Sequence, residues 1–132
     1  MKSKVLTVLS VLFGLFMVNS GLNKFLHYMP MPEMSADVMA VFGAYMTVEW
    51  LMPLVALAEI VGGILFAVPK TRALGAVVVF PVMVGILAHH LYYDLPGIVV
   101  GLVLFAINVW VLVEYRDRYL PMVRAPRSEP AL

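Results

Sequence analysis

The chain alternates long apolar runs with short polar breaks, at a spacing that predicts membrane-crossing helices. A helix needs roughly 20 mostly apolar residues to span a bilayer. Four runs meet that length, from about Val5 to Leu26, Trp50 to Val68, Ala73 to Tyr93 and Pro96 to Val113. The breaks "MPMPEMS", "PKTR" and "YYDLPG" all carry proline or charge. Between the first two runs lies "SADVMAVFGAYMTVEW". There Ser35 is placed to cap a helix, and Val38, Val41, Phe42 and Tyr45 share one side at helical spacing. Glu49 and Pro53 interrupt the run, so the pattern predicts a short interfacial or re-entrant helix rather than an early start to the second span. The fold class is therefore all-α: a four-transmembrane-helix bundle with that extra short helix. Residues 1–123 form the transmembrane domain, and the polar ending "RAPRSEPAL", 124–132, reads as a disordered tail.

Composition agrees. Of 132 residues, 63% are hydrophobic and 13% charged, and the mean hydropathy is +0.97, too greasy for a soluble domain of this size. The N-terminal "MKSKVLTVLSVLFGLF" has the charged start of a signal peptide. Its apolar run continues through Phe25 and Leu26, so a retained first helix is expected. A net charge of +1 gives no reason to expect nucleic-acid binding. Cysteine is absent, which rules out disulfides, thiolate metal sites and thiol relays through this chain.

Charge also orients the spans. Lys2, Lys4, Lys70, Arg72, Arg116, Arg118, Arg124 and Arg127 fall on one side of a four-span chain, and Lys24 alone falls on the other. By the positive-inside rule both termini are cytoplasmic. Glu33, Asp37, Glu49 and Asp94 then lie outside. The expected location is a membrane crossed several times, with both termini on its cytoplasmic side.

Few polar residues interrupt the spans: Asn19, Asn23, Lys24, Glu59, His89, His90 and Asn108. Ionisable groups at membrane depth are costly and usually face protein or water. At 1.5 Å rise per residue, Glu59 lies about 13 Å and Asn19 about 10 Å below the outer boundary. Asn23, Lys24, His89 and His90 lie within roughly 6 Å of it, and Asn108 about 18 Å down. Asn19, Asn23, Lys24, Glu59, His89 and His90 are thus the expected ligand-binding set of an outward-open polar cavity. Glu59 and His90 are the candidates for proton handling. Ala56, Gly62 and Gly63 share the Glu59 side of its helix and let another helix approach. "ExxGG" therefore reads either as a packing seam around a hydrogen-bonded carboxyl or as a functional carboxylate. Lys24 has two expected fates: snorkelling to the headgroups, or pairing with Glu59 or Glu49.

Neighbouring histidines on a helix point about 100° apart, so His89 and His90 are not expected to share a metal ion. One should face the cavity and the other join Tyr92, Tyr93 and Lys24 in the interfacial belt. The asparagines are read chiefly as helix–helix hydrogen bonders and the ten methionines as packing.

The segments "GLNKFLHYMPMPEM", "LVALAEIVGGILF", "FPVMVGILAHHL" and "VWVLVEYRDRYLPMV" resemble the DoxX-like (DoxX/DoxD-related) family of small bacterial integral membrane proteins, from about Leu12 to Val123. The family motifs fall on Asn23, Lys24, Glu59, Gly62, Gly63, Pro81, His90 and the Tyr115-Arg116 pair. The resemblance implies a four-helix membrane bundle. Its relatives include the DoxD-type membrane subunit of thiosulfate:quinone oxidoreductase, which makes a quinone-linked, oxidoreductase-associated role the most specific expectation, with no covalently bound cofactor. A non-catalytic accessory subunit of a larger membrane complex and a carrier of a small lipophilic molecule are the alternatives. Implied partners are the lipid bilayer, other membrane subunits or a soluble redox protein. Whether this chain is an enzyme is left open.

Overall fold

The computed structural model describes residues 2–125. The tail expected at 124–132 lies, from residue 126 on, outside the described residues, as does Arg127. Six α-helices follow in order: α1 (Lys2–Leu26), α2 (Ala36–Thr47), α3 (Leu51–Ala67), α4 (Arg72–Tyr93), α5 (Ile98–Glu114) and α6 (Arg116–Tyr119). Short 3-10 turns at Leu95–Gly97 and Leu120–Met122 precede α5 and follow α6. No strand occurs among the described residues. The helices α1, α4 and α5 with its 3-10 entry are each long and apolar enough to cross a membrane. The helices α2 and α3, joined through a bend of 90°, make up a fourth span when the pair is counted as one. The expected all-α bundle with a short extra helix after the first span is what the chain forms.

Helix ends follow local chemistry. α1 stops where His27 turns left-handed, at φ 51°, and the His27 N–H bonds Asn23 O at 2.8 Å. α2 starts at Ser35, whose Oγ accepts from the Val38 N–H at 3.3 Å, with Asp37 in the first turn against the helix dipole. At the far end of α3 the terminal carbonyls need donors. Arg72 supplies them. Its guanidinium is buried at 2% exposure and donates from Nε to Phe66 O and from Nη2 to Ala67 O, both at 3.0 Å. Thr71 Oγ1 adds a bond to Leu65 O at 2.9 Å. Tyr119 Oη donates to Ala73 O at 2.6 Å and so holds α6 against the start of α4. Burial pushes the Tyr119 phenol above its ordinary pKa, with Arg118 pulling part of the way back, so it remains an O–H donor at neutral pH.

The packing order is α1 on α3, α3 on α4, α4 on α5, with α5 returning lightly to α1. Phe13 and Phe66 stack at 4.2 Å between ring centroids, among buried Met17, Val79, Met83 and Val111. The outside is apolar as well: Leu57, Val61, Ile64, Val77, Val84 and Val103 are all more than 40% exposed. Lipid tails, not water, are the solvent that such a surface suits.

Between α1 and α3 the backbones touch. A Cβ on Gly14 would lie 2.5 Å from Gly63 O, and one on Gly63 would lie 2.8 Å from Gly14 O. One on Gly21 would lie 2.7 Å from Ala56 O. These contacts set an antiparallel register in which Gly14 faces Gly63 and Gly21 faces Ala56. Gly62 turns to the other neighbour, against Val78 and Val79 of α4. The tight α1–α3 approach gives a direct test. Gly14→Val should cost about 1–3 kcal/mol, as overpacking does in a filled interior. Gly85→Ala, where a Cβ meets nothing within 4 Å, should cost nothing. Thermal unfolding of both variants in one detergent checks the pair; equal melting would contradict the close approach.

Candidate functional site

The side chain of Glu59 is 2% exposed, and its carboxylate meets the ammonium of Lys24. Lys24 Nζ lies 2.8 Å from Oε2 and 3.0 Å from Oε1, and 3.0 Å from Ser20 Oγ. An ammonium has three donors, and all three are used. Of the two fates expected for Lys24, pairing with Glu59 is the one adopted. Glu59 accepts from Lys24 at both of its oxygens.

The register explains why a group near the membrane edge reaches one so deep. Gly21 facing Ala56 places Lys24 level with Pro53, so Glu59 lies six residues, about 9 Å, deeper. Each Cα–Cβ bond in a helix tilts towards the N-terminus of that helix. In α1 that direction is inward, and Lys24 leans down past Ser20, one turn below it. In the antiparallel α3 it is outward, and Glu59 leans up. Each side chain covers part of the gap.

Above the pair is a recess of about 130 Å³ between the C-terminal end of α1 and the α2–α3 bend. Lys24 and Glu49 give it charge, and Phe25, Met46, Met52, Pro53 and Ala56 give it apolar walls. Glu59 lies one turn beyond Ala56, under the floor, shielded by its own ion partner.

The remaining polar residues do not join this recess. Asn19 receives a hydrogen bond from Tyr28 Oη at its Oδ1 and its backbone carbonyl, and Asn19 Nδ2 lies 3.4 Å from Met29 Sδ. Asn23 Oδ1 accepts from the Met29 N–H at 2.9 Å. Both asparagines thus fasten the loop that leaves α1. His89 turns towards α2: Nδ1 is 3.1 Å from Tyr45 Oη, and the ring lies 5.0 Å from Phe42. His90 turns towards α5: Nδ1 is 3.3 Å from Asp94 Oδ2, and a Cβ on Gly97 would sit 3.0 Å from that ring. Asn108 donates to Ala76 O at 3.0 Å, a helix–helix bond in the interior. The single outward-open cavity expected from depth is therefore divided: an ion pair under a small recess, a loop anchor, and two histidines serving different helices.

Three contributors were missed by reading the sequence. Ser20 could have been found, because it stands four residues before Lys24 on the same face. Tyr45 as a partner of His89 and Arg72 as a carbonyl cap depend on the bend after α2 and the turn after α3, which no periodicity reveals.

A buried ion pair inside an antiparallel bundle of apolar helices defines a small polytopic membrane protein. The family model described as DoxX matches residues 5–91, and the chain belongs to the DoxX family. No curated protein and no solved structure gave a match.

The pair predicts a thermodynamic asymmetry. Removing one partner strands the other in a low-dielectric interior, at a cost of about 3–5 kcal/mol. Lys24→Met alone should be destabilised by that amount, whereas Lys24→Met with Glu59→Leu should regain at least half. Unfolding of the single and double variants in detergent measures the coupling; simple additivity would show that the two charges do not sense each other.

Proposed function

We propose that this DoxX protein is a quinone-linked component of a bacterial cytoplasmic membrane, and that the recess above Lys24 takes the head group of a lipophilic quinone. The observation that carries the reading is a charged pair lying beneath apolar walls at the outer edge of the bundle. At about 130 Å³ the recess is below the roughly 300–1,000 Å³ of pockets that enclose a drug-sized ligand. It suits a compact head group whose tail stays among lipid chains. Lys24 donates to a quinone carbonyl by exchanging one of its present acceptors, and Glu59, released from that donor, becomes the proton-handling group. Reduction of the head group takes two electrons and two protons. The electrons come from a membrane or soluble redox partner, since the chain has no cysteine to carry them. Asn19, Asn23, His89 and His90 support this site from outside its first contacts, by fixing the loop and the two helices that frame it.

The test is to purify the full chain in a mild detergent and quantify extracted quinone. Wild type should retain it. Met52→Trp, which fills the recess without touching the ion pair, should retain at least roughly ten-fold less, the loss expected for one blocked contact surface of about 1.4 kcal/mol. Quinone at the level of neutral lipid in wild type would end the proposal.

The closed geometry of the pair favours a second reading, an accessory subunit in which Lys24–Glu59 only holds α1 to α3. Glu59→Gln separates the two, because the amide oxygen still accepts from Lys24 but does not titrate. Unchanged quinone exchange in a folded Glu59→Gln protein would leave the accessory role.

The orientation proposed with this function places both termini in the cytoplasm, following the one-sided lysines and arginines. Single cysteines replacing Glu33 and Lys70, both exposed, should react with an impermeant thiol reagent from opposite sides of the membrane. Labelling from one side would refute the four-span topology.

A further inference from the structure

We propose that the bundle end carrying Lys70, Arg116, Arg118 and Arg124 is a binding surface for anionic phospholipid headgroups, with Met122 and Val123 seated in the adjoining acyl region. These four basic residues come from two segments 46 positions apart at their docking bond, Tyr119 Oη to Ala73 O at 2.6 Å. That bond brings α6 beside the turn that holds Lys70. All four basic side chains are exposed.

Two of them are positioned rather than loose. Arg116 Nη1 donates to Val113 O at 2.9 Å, which uses one of five N–H donors. Arg118 lies 4.9 Å over the Tyr115 ring, a contact that leaves the guanidinium edge available to an acceptor. Guanidinium groups pair well with phosphate because two parallel N–H donors match two oxygens. The acidic side chains at this end are Glu114, which accepts from Trp110 Nε1 at 3.2 Å, and Asp117. The four basic residues outnumber these two acidic ones among the described residues.

The apolar part is equally specific in place. Leu120–Met122 forms a 3-10 turn that leaves Met122 74% and Val123 80% exposed. Such side chains at a bundle end, flanked by arginines, are unfavourable in water and favourable at the headgroup–acyl boundary. Charge and apolar surface together match an anionic lipid better than a soluble anion, which would use only the charge. Buried Arg72 plays no part, since both its bonds go to α3 carbonyls.

The experiment uses the full chain in mild detergent, offered equal amounts of phosphatidylglycerol and phosphatidylcholine with identical acyl chains, and reads retained lipid by native mass spectrometry. Wild type should prefer phosphatidylglycerol. Lys70→Gln, Arg116→Gln and Arg118→Gln should each lower that preference roughly five-fold, the contribution of one basic side chain at an anionic surface. Tyr119→Phe keeps every charge but releases α6, so it should also lose preference. Lys4→Gln, on the same end but outside the docked segment, should not. Equal retention of the two lipids, an unaltered preference in Tyr119→Phe, or an equal loss in Lys4→Gln would overturn the proposal. Displacement of phosphatidylglycerol by inorganic phosphate alone would also overturn it, by showing a free-anion site.

Discussion

The contact between the backbones of α1 and α3 is the constraint from which the half of the molecule around Lys24 and Glu59 follows. Gly14 against Gly63 and Gly21 against Ala56 remove the side-chain layer that normally keeps helices 8–10 Å apart. In a bilayer there is no hydrophobic force between helices to do this, because lipid tails are as apolar as leucine. Close van der Waals packing and polar contacts take its place. Once the register is set, Lys24 and Glu59 fall at heights from which their tilted Cα–Cβ bonds bring them together. The same pair would not form if the helices ran parallel, because both side chains would then lean the same way. The glycines and the charges are one device: the seam places the charges, and the charges reward the seam.

The end of the bundle that carries the recess is finished by a helix that packs weakly. α2 buries only Val38, yet it supplies Met46 to the recess and Tyr45 and Phe42 to His89. Its angle is fixed at two points, the 90° bend into α3 and the Tyr45–His89 bond. Replacing water at a tyrosine hydroxyl by a ring nitrogen is a modest gain in itself. Here it decides where one wall of the recess stands, since few other contacts hold this helix.

The apolar helices, their boundaries and the separate short helix α2 were legible in the sequence because each rests on local chemistry; α6 was not. Ser35 caps α2, proline and charge mark the breaks, and the apolar lengths match bilayer thickness. The Lys24–Glu59 pair was legible as one of the expected outcomes, since Lys24 is the one lysine or arginine expected on that side and Glu59 was one of its two expected acidic partners. What the sequence could not convey was how the polar residues divide. Depth gives one coordinate of three. Asn19, Lys24 and His89 sit within a few residues of the same height but on different azimuths of the bundle. Azimuth depends on helix rotation, which the glycine contacts of α1 and α3 set. The expected single cavity came from treating equal depth as proximity.

The basic residues show why charge counting orients a membrane protein yet does not describe its surface. Lys24, Arg72 and Lys70 all lie at or near helix ends, and a topology rule weighs them alike. Their environments differ completely. Lys24 is neutralised by a carboxylate from the neighbouring helix. Arg72 is folded under its own turn to donate to the last carbonyls of α3, so its charge stabilises a helix end in the way a C-terminal cation does. Lys70, two residues earlier, is the one of the three that is exposed. A residue's contribution to insertion is set while the chain is threaded through the membrane, before these partners exist. Its contribution to the finished surface is set by which backbone or side-chain acceptors the fold later brings within reach.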